Sequence, residues 1–311
     1  MEYATLGRTG LRVSTLALGT AAFGLENYGI QEPGEPGRLS EDRAIELVRA
    51  AVEKGINFFD TARGYGESEA VLGKGLGDCE SCIIATKVGI PSDSRGSAVL
   101  ARAVIDSVET SLSALHRDVL DIAQIHNATQ EIIERGEILD VLERAREGGK
   151  LKFVGASVYG EPAALAAIRS GRIDVLQIAL NLLDQRMFAR VLPEATKGNV
   201  GVVVRSAFLK GALTSRAKLL PEGLRCLAEA SDRMRDALGE TWDSLPLAAL
   251  RFCLSVPGVH SVLVGLRSLP ELAAACAAQS EGHLDSAIVS RTKGLSLNDE
   301  QLLDPSYWPK V

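Results

Sequence analysis

The chain has 311 residues, with 34 basic against 40 acidic side chains for a formal net charge of −6, and is 46% hydrophobic but only 5% aromatic. That apolar share excludes a disordered chain, and the mild acidity gives no clustered basic footprint for nucleic acid or an anionic membrane surface. No stretch reaches the roughly 18 unbroken apolar residues of a membrane span; the runs Val200–Leu209 and Leu245–Val256 are each interrupted by an arginine.

The chain opens as a hairpin, Tyr3–Leu6 and Arg12–Leu16 flanking the turn-rich Gly7-Arg8-Thr9-Gly10. Arg8 and Arg12 before Val13–Leu25 imitate a secretory leader, but Gly7, Gly10, Gly19 and Gly24 punctuate that segment and Glu2 precedes it, which reads against one. A rhythm of short apolar runs and longer helical patterns follows. Val13–Leu18 ends at Gly19-Thr20, and a Gly- and Pro-rich loop spans Tyr28–Gly37. Ser40 then reads as an N-cap for a helix that closes at Gly55. Strands are expected at Ile56–Phe59, Cys82–Thr86, Leu120–Ile125, Phe153–Ser157, Val175–Leu180, Gly201–Ser206 and Ser261–Val264. Helices are expected at Glu69–Leu76, Ala98–Leu115, Ile138–Glu147, Pro162–Ile168, Phe188–Thr196, Leu224–Leu238, Leu245–Leu254 and Glu271–Ala278, with a short one at Asn298–Leu303.

These are eight β runs after the hairpin, each followed by helical sequence. Near-continuous apolar strands are buried on both faces, so the sheet should be parallel, and eight βα units over this length predict a closed (β/α)8 TIM barrel, one domain over residues 1–311. No G-x-G-x-x-G stands at a strand–helix junction; Gly73-Lys74-Gly75-Leu76-Gly77 reads as a cluster capping a helix end. The five cysteines are odd in number and scattered, which predicts free thiols, a reducing compartment and a cytoplasmic protein. Cys79-Glu80-Ser81-Cys82 lacks the further ligands a zinc site needs, so no metal is expected; it reads as a loop cysteine followed by a buried strand cysteine, with a redox pair as the alternative.

In such a barrel the chemistry sits where strands end. The polar residues there are Gly19-Thr20, Asp60 with Tyr65 beyond it, Lys87, His126-Asn127, Ser157, Arg205-Ser206, and Gly265 with Arg267 close behind; Gln177 sits inside a strand. A lysine ending a buried strand needs a partner, and Asp60 is the obvious one. A tyrosine hydroxyl beside that ammonium is expected to have a lowered pKa and to exchange a proton near neutral pH.

These residues carry a resemblance. The segment Gly55-Ile-Asn-Phe-Phe-Asp60-Thr-Ala-Arg-Gly-Tyr65-Gly-Glu-Ser-Glu69, the opening Leu6-Gly-Arg-Thr-Gly-Leu-Arg-Val-Ser14 with Leu18-Gly-Thr20, Ala85-Thr-Lys87 and Asp121-Ile-Ala-Gln-Ile-His126 resemble the aldo-keto reductase family over essentially the whole chain. The resemblance implies a barrel with an N-terminal hairpin cap and NAD(P)H-dependent interconversion of a small-molecule carbonyl and an alcohol. It implies that Tyr65 delivers the proton, Lys87 held by Asp60 tunes it, and His126 orients the carbonyl. For the cofactor it implies Gly19, Thr20 and Asp60 at the barrel mouth, Ser157 and Gln177 at the carboxamide, Arg205 at the nicotinamide, and Ser206, Phe208, Leu209 and Gly211 along the pyrophosphate. Gly265, Arg267 and Glu271 fall at the adenosine end. The sequence departs from the family at Val158, Arg205, Glu271 and Ala275, where Asn, Tyr, a basic residue and Asn are common. NADP is the expected cofactor, with NAD as the alternative because Glu271 could accept from a free ribose hydroxyl. A cofactor-recycling lyase or epimerase and a nicotinamide-sensing subunit are the other readings of the same barrel. Segments Ala21–Leu39, Lys210–Gly223 and the tail after Asp304 are expected to set substrate choice, with Phe23, Tyr28, Tyr307 and Trp308 as available aromatic walls; Trp308 reads first as a packing anchor.

Overall fold

The computed structural model describes residues 1–89 and 97–309. Two short strands, β1 (Tyr3–Thr5) and β2 (Arg12–Ser14), pair antiparallel. Eight parallel strands then close a barrel: β3 (Leu16–Gly19), β4 (Phe58–Asp60), β5 (Ile83–Val88), β6 (Leu120–Ala128), β7 (Leu151–Val158), β8 (Val175–Ala179), β9 (Gly201–Arg205) and β10 (Ser261–Gly265), with β10 returning to β3. The (β/α)8 expectation holds. No helix among the described residues is long and apolar enough to cross a membrane.

Strand alternation explains why each run reads as apolar throughout. Ala17, Phe58, Ala85, Ile122, Val175, Val203 and Leu263 point into the barrel, where they form one cluster. Their neighbours Leu16, Leu18, Phe59, Ile84, Ala123, Leu176 and Val204 point outward against the helices. Leu6 and Val13 of the hairpin join the interior cluster and plug the N-terminal end of the barrel. That plug depends on Gly7, whose φ is +50° and where a Cβ would lie 2.3 Å from the Gly201 nitrogen.

Register brings the candidate residues together. Gly19 lies opposite Asp60, Lys87 opposite Gln124, Ser157 opposite Gln177, and Ala179 opposite Arg205. Ser40 does sit at the N-cap of the helix Glu41–Glu53, but its side chain makes no capping bond. The strand expected from Ile56 starts at Phe58, because the Ile56 N–H is still bonded to Ala51 of the preceding helix. Three helices are not legible in the sequence: Ala21–Gly24, of 4 residues, Gln130–Arg135, of 6 residues and capped by Thr129, and Ser286–Lys293, capped by Asp285.

Two expectations are corrected. Gly73 and Gly75 lie inside the helix Ser68–Leu76 rather than capping it; a Cβ on Gly73 would press the Ala114 carbonyl at 2.7 Å, and one on Gly75 would press Val48 at 2.8 Å, so both are close-packing positions. Only Gly77 caps. Cys79 and Cys82 are joined as a disulfide, with Cα atoms 5.6 Å apart, while Cys226, Cys253 and Cys276 are free. The turn in which the Cys82 N–H bonds the Cys79 carbonyl brings the two together. Cys79 on the loop and buried Cys82 entering the strand are placed as expected, but their pairing is not, and the thiol argument for a reducing compartment loses two of its cysteines.

Candidate active site

Asp60 ends β4 and Lys87 lies one residue from the end of β5; both are buried, at 4% and 1% exposure. Lys87 Nζ forms an ion pair with Asp60 Oδ1 and donates to the Thr61 carbonyl at 3.1 Å. The second carboxylate oxygen, Asp60 Oδ2, accepts from Gln177 Nε2 at 2.7 Å and from Gln124 Nε2 at 3.1 Å. Each oxygen of the buried carboxylate thus has a donor, which is what keeps a charge tolerable in a barrel interior. Ser157 Oγ donates to Gln177 Oε1 at 3.3 Å, tying β7 into the same network.

Tyr65 lies on the loop after β4, and three features fix that loop. The Thr61 and Arg63 N–H groups bond carbonyls of Ala85 and Lys87, sewing the loop to β5. Glu69, fully buried, pairs with Arg63 and accepts from Thr86 Oγ1 at 2.5 Å. A Cβ on Gly24 would stand 1.8 Å from the Tyr65 carbonyl oxygen, so only glycine lets the segment Ala21–Gly24 meet the loop. The result is a Tyr65 ring with the Lys87 ammonium 5.0 Å from its centroid and the His126 imidazole edge-on at 5.7 Å.

The electrostatics correct one expectation. Burial, and then the Asp60 charge, push the Tyr65 hydroxyl above its ordinary pKa rather than below it. The Lys87 ammonium is already committed to Asp60 and Thr61, so desolvation prevails. His126 is pushed down to about 4 by burial and by the Lys87 and Arg205 charges, against a smaller opposing pull from Asp60. At neutral pH it is an uncharged imidazole with one N–H to donate.

A cleft of about 680 Å3 opens at this end of the barrel. Of the expected residues, Asp60, Tyr65 and His126 line it, as do Gly19 and Thr20 at the end of β3 and Ser157 and Gln177 on β7 and β8. Arg205, Ser206, Phe208 and Gly211 line a second wall, and Gly265, Arg267 and Glu271 the far end. Lys87 lies behind the wall, and the Leu209 side chain packs into the core. Of the aromatic candidates only Tyr28 lines the cleft; Phe23 is core, Tyr307 is 60% exposed, and Trp308 anchors the tail by donating to the Leu302 carbonyl at 3.1 Å. Another hollow, about 620 Å3, lies outside the barrel between Gln130–Arg135 and Gly160–Arg169 and contains none of these residues.

Gln124, Tyr159 and Trp242 are not among the expected site residues, and Lys210 is expected only as the start of a substrate-choice segment. Gln124 carried a usable signal, a polar residue within an apolar strand, the same signal that marked Gln177. The others lie on separate loops that converge only in three dimensions.

The aldo/keto reductase family profile matches residues 15–296. The chain belongs to the aldo/keto reductase family. It is 29% identical over 298 residues to the L-galactose dehydrogenase of Arabidopsis thaliana, covering 90% of this chain and 89% of that protein. It is 28% identical over 232 residues to the NADH-specific methylglyoxal reductase of Escherichia coli, covering 69% of each. Among solved structures, an aldo-keto reductase of Bacillus halodurans in its holo form superposes with a TM-score of 0.78 at 25% identity, over 98% of this chain and 100% of that one. This aldo-keto reductase is thereby an oxidoreductase of the carbonyl/alcohol class, in a family whose members use NAD(P)H.

The residues at the far end fit such a dinucleotide. Arg267 Nη2 donates to the Pro36 carbonyl at 2.6 Å, while Arg267 Nη1 is buried with no partner among the described residues. Glu271 is already engaged: its Oε2 accepts from the Arg267 N–H at 2.7 Å while Ser268 Oγ accepts from the Glu271 N–H at 3.3 Å, a reciprocal cap on the helix Leu269–Ser280. Arg205 stacks on Tyr159, 3.8 Å from the ring centroid, and donates to the Val158 carbonyl at 3.0 Å.

Proposed function

We propose that this chain reduces an aldehyde, ketone or sugar-like carbonyl, and oxidises the corresponding alcohol in reverse, with Tyr65 as the proton donor and NADP as the cofactor. The observation that carries this reading is the buried Asp60–Lys87 pair behind Tyr65, with an uncharged His126 on the same wall. A bound reduced nicotinamide supplies the hydride. Ser157 and Gln177 would hold its carboxamide and Arg205 would face the ring. Ser206, Phe208, Gly211 and the Leu209 backbone would run along the diphosphate, with Gly265 and Arg267 at the adenosine end and Gly19 and Thr20 at the mouth.

The raised pKa keeps the Tyr65 hydroxyl protonated at rest, which is the state a donor needs. His126 donates its single N–H to the carbonyl oxygen and orients it. As negative charge develops on that oxygen, the Tyr65 proton transfers to it. The phenolate left behind faces the Lys87 ammonium, which Asp60 and the Thr61 carbonyl hold in place. Because the charge partners are preorganised in a buried site, they need no rearrangement at the moment of transfer.

For the cofactor, the partnerless Arg267 Nη1 suits a 2′-phosphate. The capping role of Glu271 removes one carboxylate oxygen from recognition of a free ribose. Both favour NADP, although the Escherichia coli relative is named for NADH. The experiment is turnover of a panel of aldehydes by the purified protein with each nicotinamide, alongside fluorescence titration of NADPH and NADH. The reading expects turnover and tighter NADPH binding, with the NADPH preference erased by Arg267→Ala. Product formed without net change in nicotinamide absorbance would replace it with a recycling lyase or epimerase.

A further inference from the structure

The cations lining the cleft differ in how they are neutralised. Arg216 makes two bonds, at 2.7 and 2.6 Å, to the Glu35 carboxylate. Among the described residues Arg205 has only neutral partners, the Val158 carbonyl and Ser206 Oγ, and it stacks on Tyr159. Lys210 has less. Its ammonium lies 5.6 Å from the centre of the Tyr28 ring and makes no ion pair or hydrogen bond among the described residues. The acid that bears on it, Asp304, is outside ion-pair distance and its Oδ1 accepts from the Ser306 N–H at 2.9 Å.

Lys210 is also held where it is. Its φ is +52° and that of Leu209 is +44°, left-handed conformations that a non-glycine residue adopts at a cost. Its carbonyl accepts from the Ile30 N–H at 2.9 Å, which fixes the lysine to the loop carrying Tyr28. Burial and the like charge of Arg205 both disfavour its charged form. Apart from Arg267 at the adenosine end, two partly desolvated cations therefore face the cleft with no carboxylate in contact among the described residues, an arrangement that an incoming anion relieves. The Lys210 side chain reaches the reacting end, because Tyr28, under the ammonium, lies within electrostatic range of Tyr65, Tyr159, Arg205 and Lys87; in the same loop it is the Leu209 backbone and Gly211 that are proposed to follow the diphosphate.

We propose that Lys210, backed by Arg205, is an anion subsite for the substrate, so that the cleft selects carbonyl compounds carrying a carboxylate at the end remote from the carbonyl. Lys210 is a specificity-determining residue here: it binds the remote carboxylate and takes no part in proton transfer. The inference rests on the carbonyl-reductase reading and names its substrate class.

The test uses the full chain and a pair of aldehydes of equal length, one ending in a carboxylate and the other in its methyl ester, with wild type, Lys210→Met and Lys210→Arg. Wild type is expected to favour the carboxylate in kcat/KM by about tenfold or more, the scale of one charge-assisted contact. Lys210→Met should collapse that ratio through KM of the anionic aldehyde, and Lys210→Arg should restore most of it. An unchanged ratio, or a loss that falls equally on both aldehydes or on NADPH affinity, overturns the subsite. Calorimetric titration with the corresponding simple carboxylate separates the two layers. Carboxylate binding that is lost in Lys210→Met, without turnover of any aldehyde, would keep the subsite and remove the carbonyl reading. Turnover without discrimination would do the reverse.

Discussion

At the N-terminal end of the barrel, the hairpin presses Leu6 and Val13 into the same apolar cluster as Ala17, Phe58 and Val203, and backbone meets backbone where Gly7 crosses Gly201. At the C-terminal end, the same strands turn Asp60, Lys87, Gln124 and Gln177 inward and leave a cleft above them. The first end removes apolar surface from water at roughly 25 cal/mol per Å2. The second holds a buried ion pair, whose net worth to stability is near zero once desolvation is counted. One end of this fold carries stability, and the other keeps charges in place for a task at stability's expense.

The largest expected effect comes from breaking the charged end. Lys87→Met strands the Asp60 carboxylate and should destabilise the protein by about 3–5 kcal/mol, read by urea denaturation, with turnover lost in the fraction that stays folded. Stability within about 1 kcal/mol of wild type would show that the pair is not buried as described. The apolar end gives the contrasting case. Leu6→Ala should cost about 2–5 kcal/mol by the same denaturation while leaving kcat of the folded protein unchanged. A fall in kcat would mean that the two ends are coupled.

The comparison also shows what sequence could reveal. Asp60, Lys87 and His126 were legible because a polar residue closing an apolar run is costly unless it has a use. Gln124 obeys the same logic two strands over from Gln177, and only the register opposite Lys87 exposes its role. The Tyr65 pKa went the other way from the expectation because a sequence reveals which charges are near but not how much water is removed. Tyr159 and Lys210 belong to loops after β7 and β9, and no spacing along the chain announces that Arg205 stacks on one and faces the other. Cys79 and Cys82 had a spacing that allowed pairing, but the deciding feature was a backbone turn.

A smaller effect sharpens the electrostatic contrast. With His126 depressed to about 4, the carbonyl-orienting N–H stays on an uncharged ring through neutral pH, and kcat/KM for reduction should stay level until pH falls through about 4. Because the Tyr65 pKa is raised, loss of its proton should limit reduction only above the ordinary tyrosine value of about 10. An acidic limb near pH 6.5 would mean that His126 titrates as a solvated imidazole.

The central claim, that Tyr65 is the proton donor served by the Asp60–Lys87 pair, is met most directly by Tyr65→Phe, which removes one oxygen from a ring whose packing against His126 and Lys87 is otherwise kept. The measurement is kcat for carbonyl reduction beside the NADPH dissociation constant. A fall in kcat of about 10^2–10^4-fold is expected, with NADPH affinity within about twofold, a difference well under the 1.4 kcal/mol of a tenfold change. Turnover equal to wild type would contradict the claim.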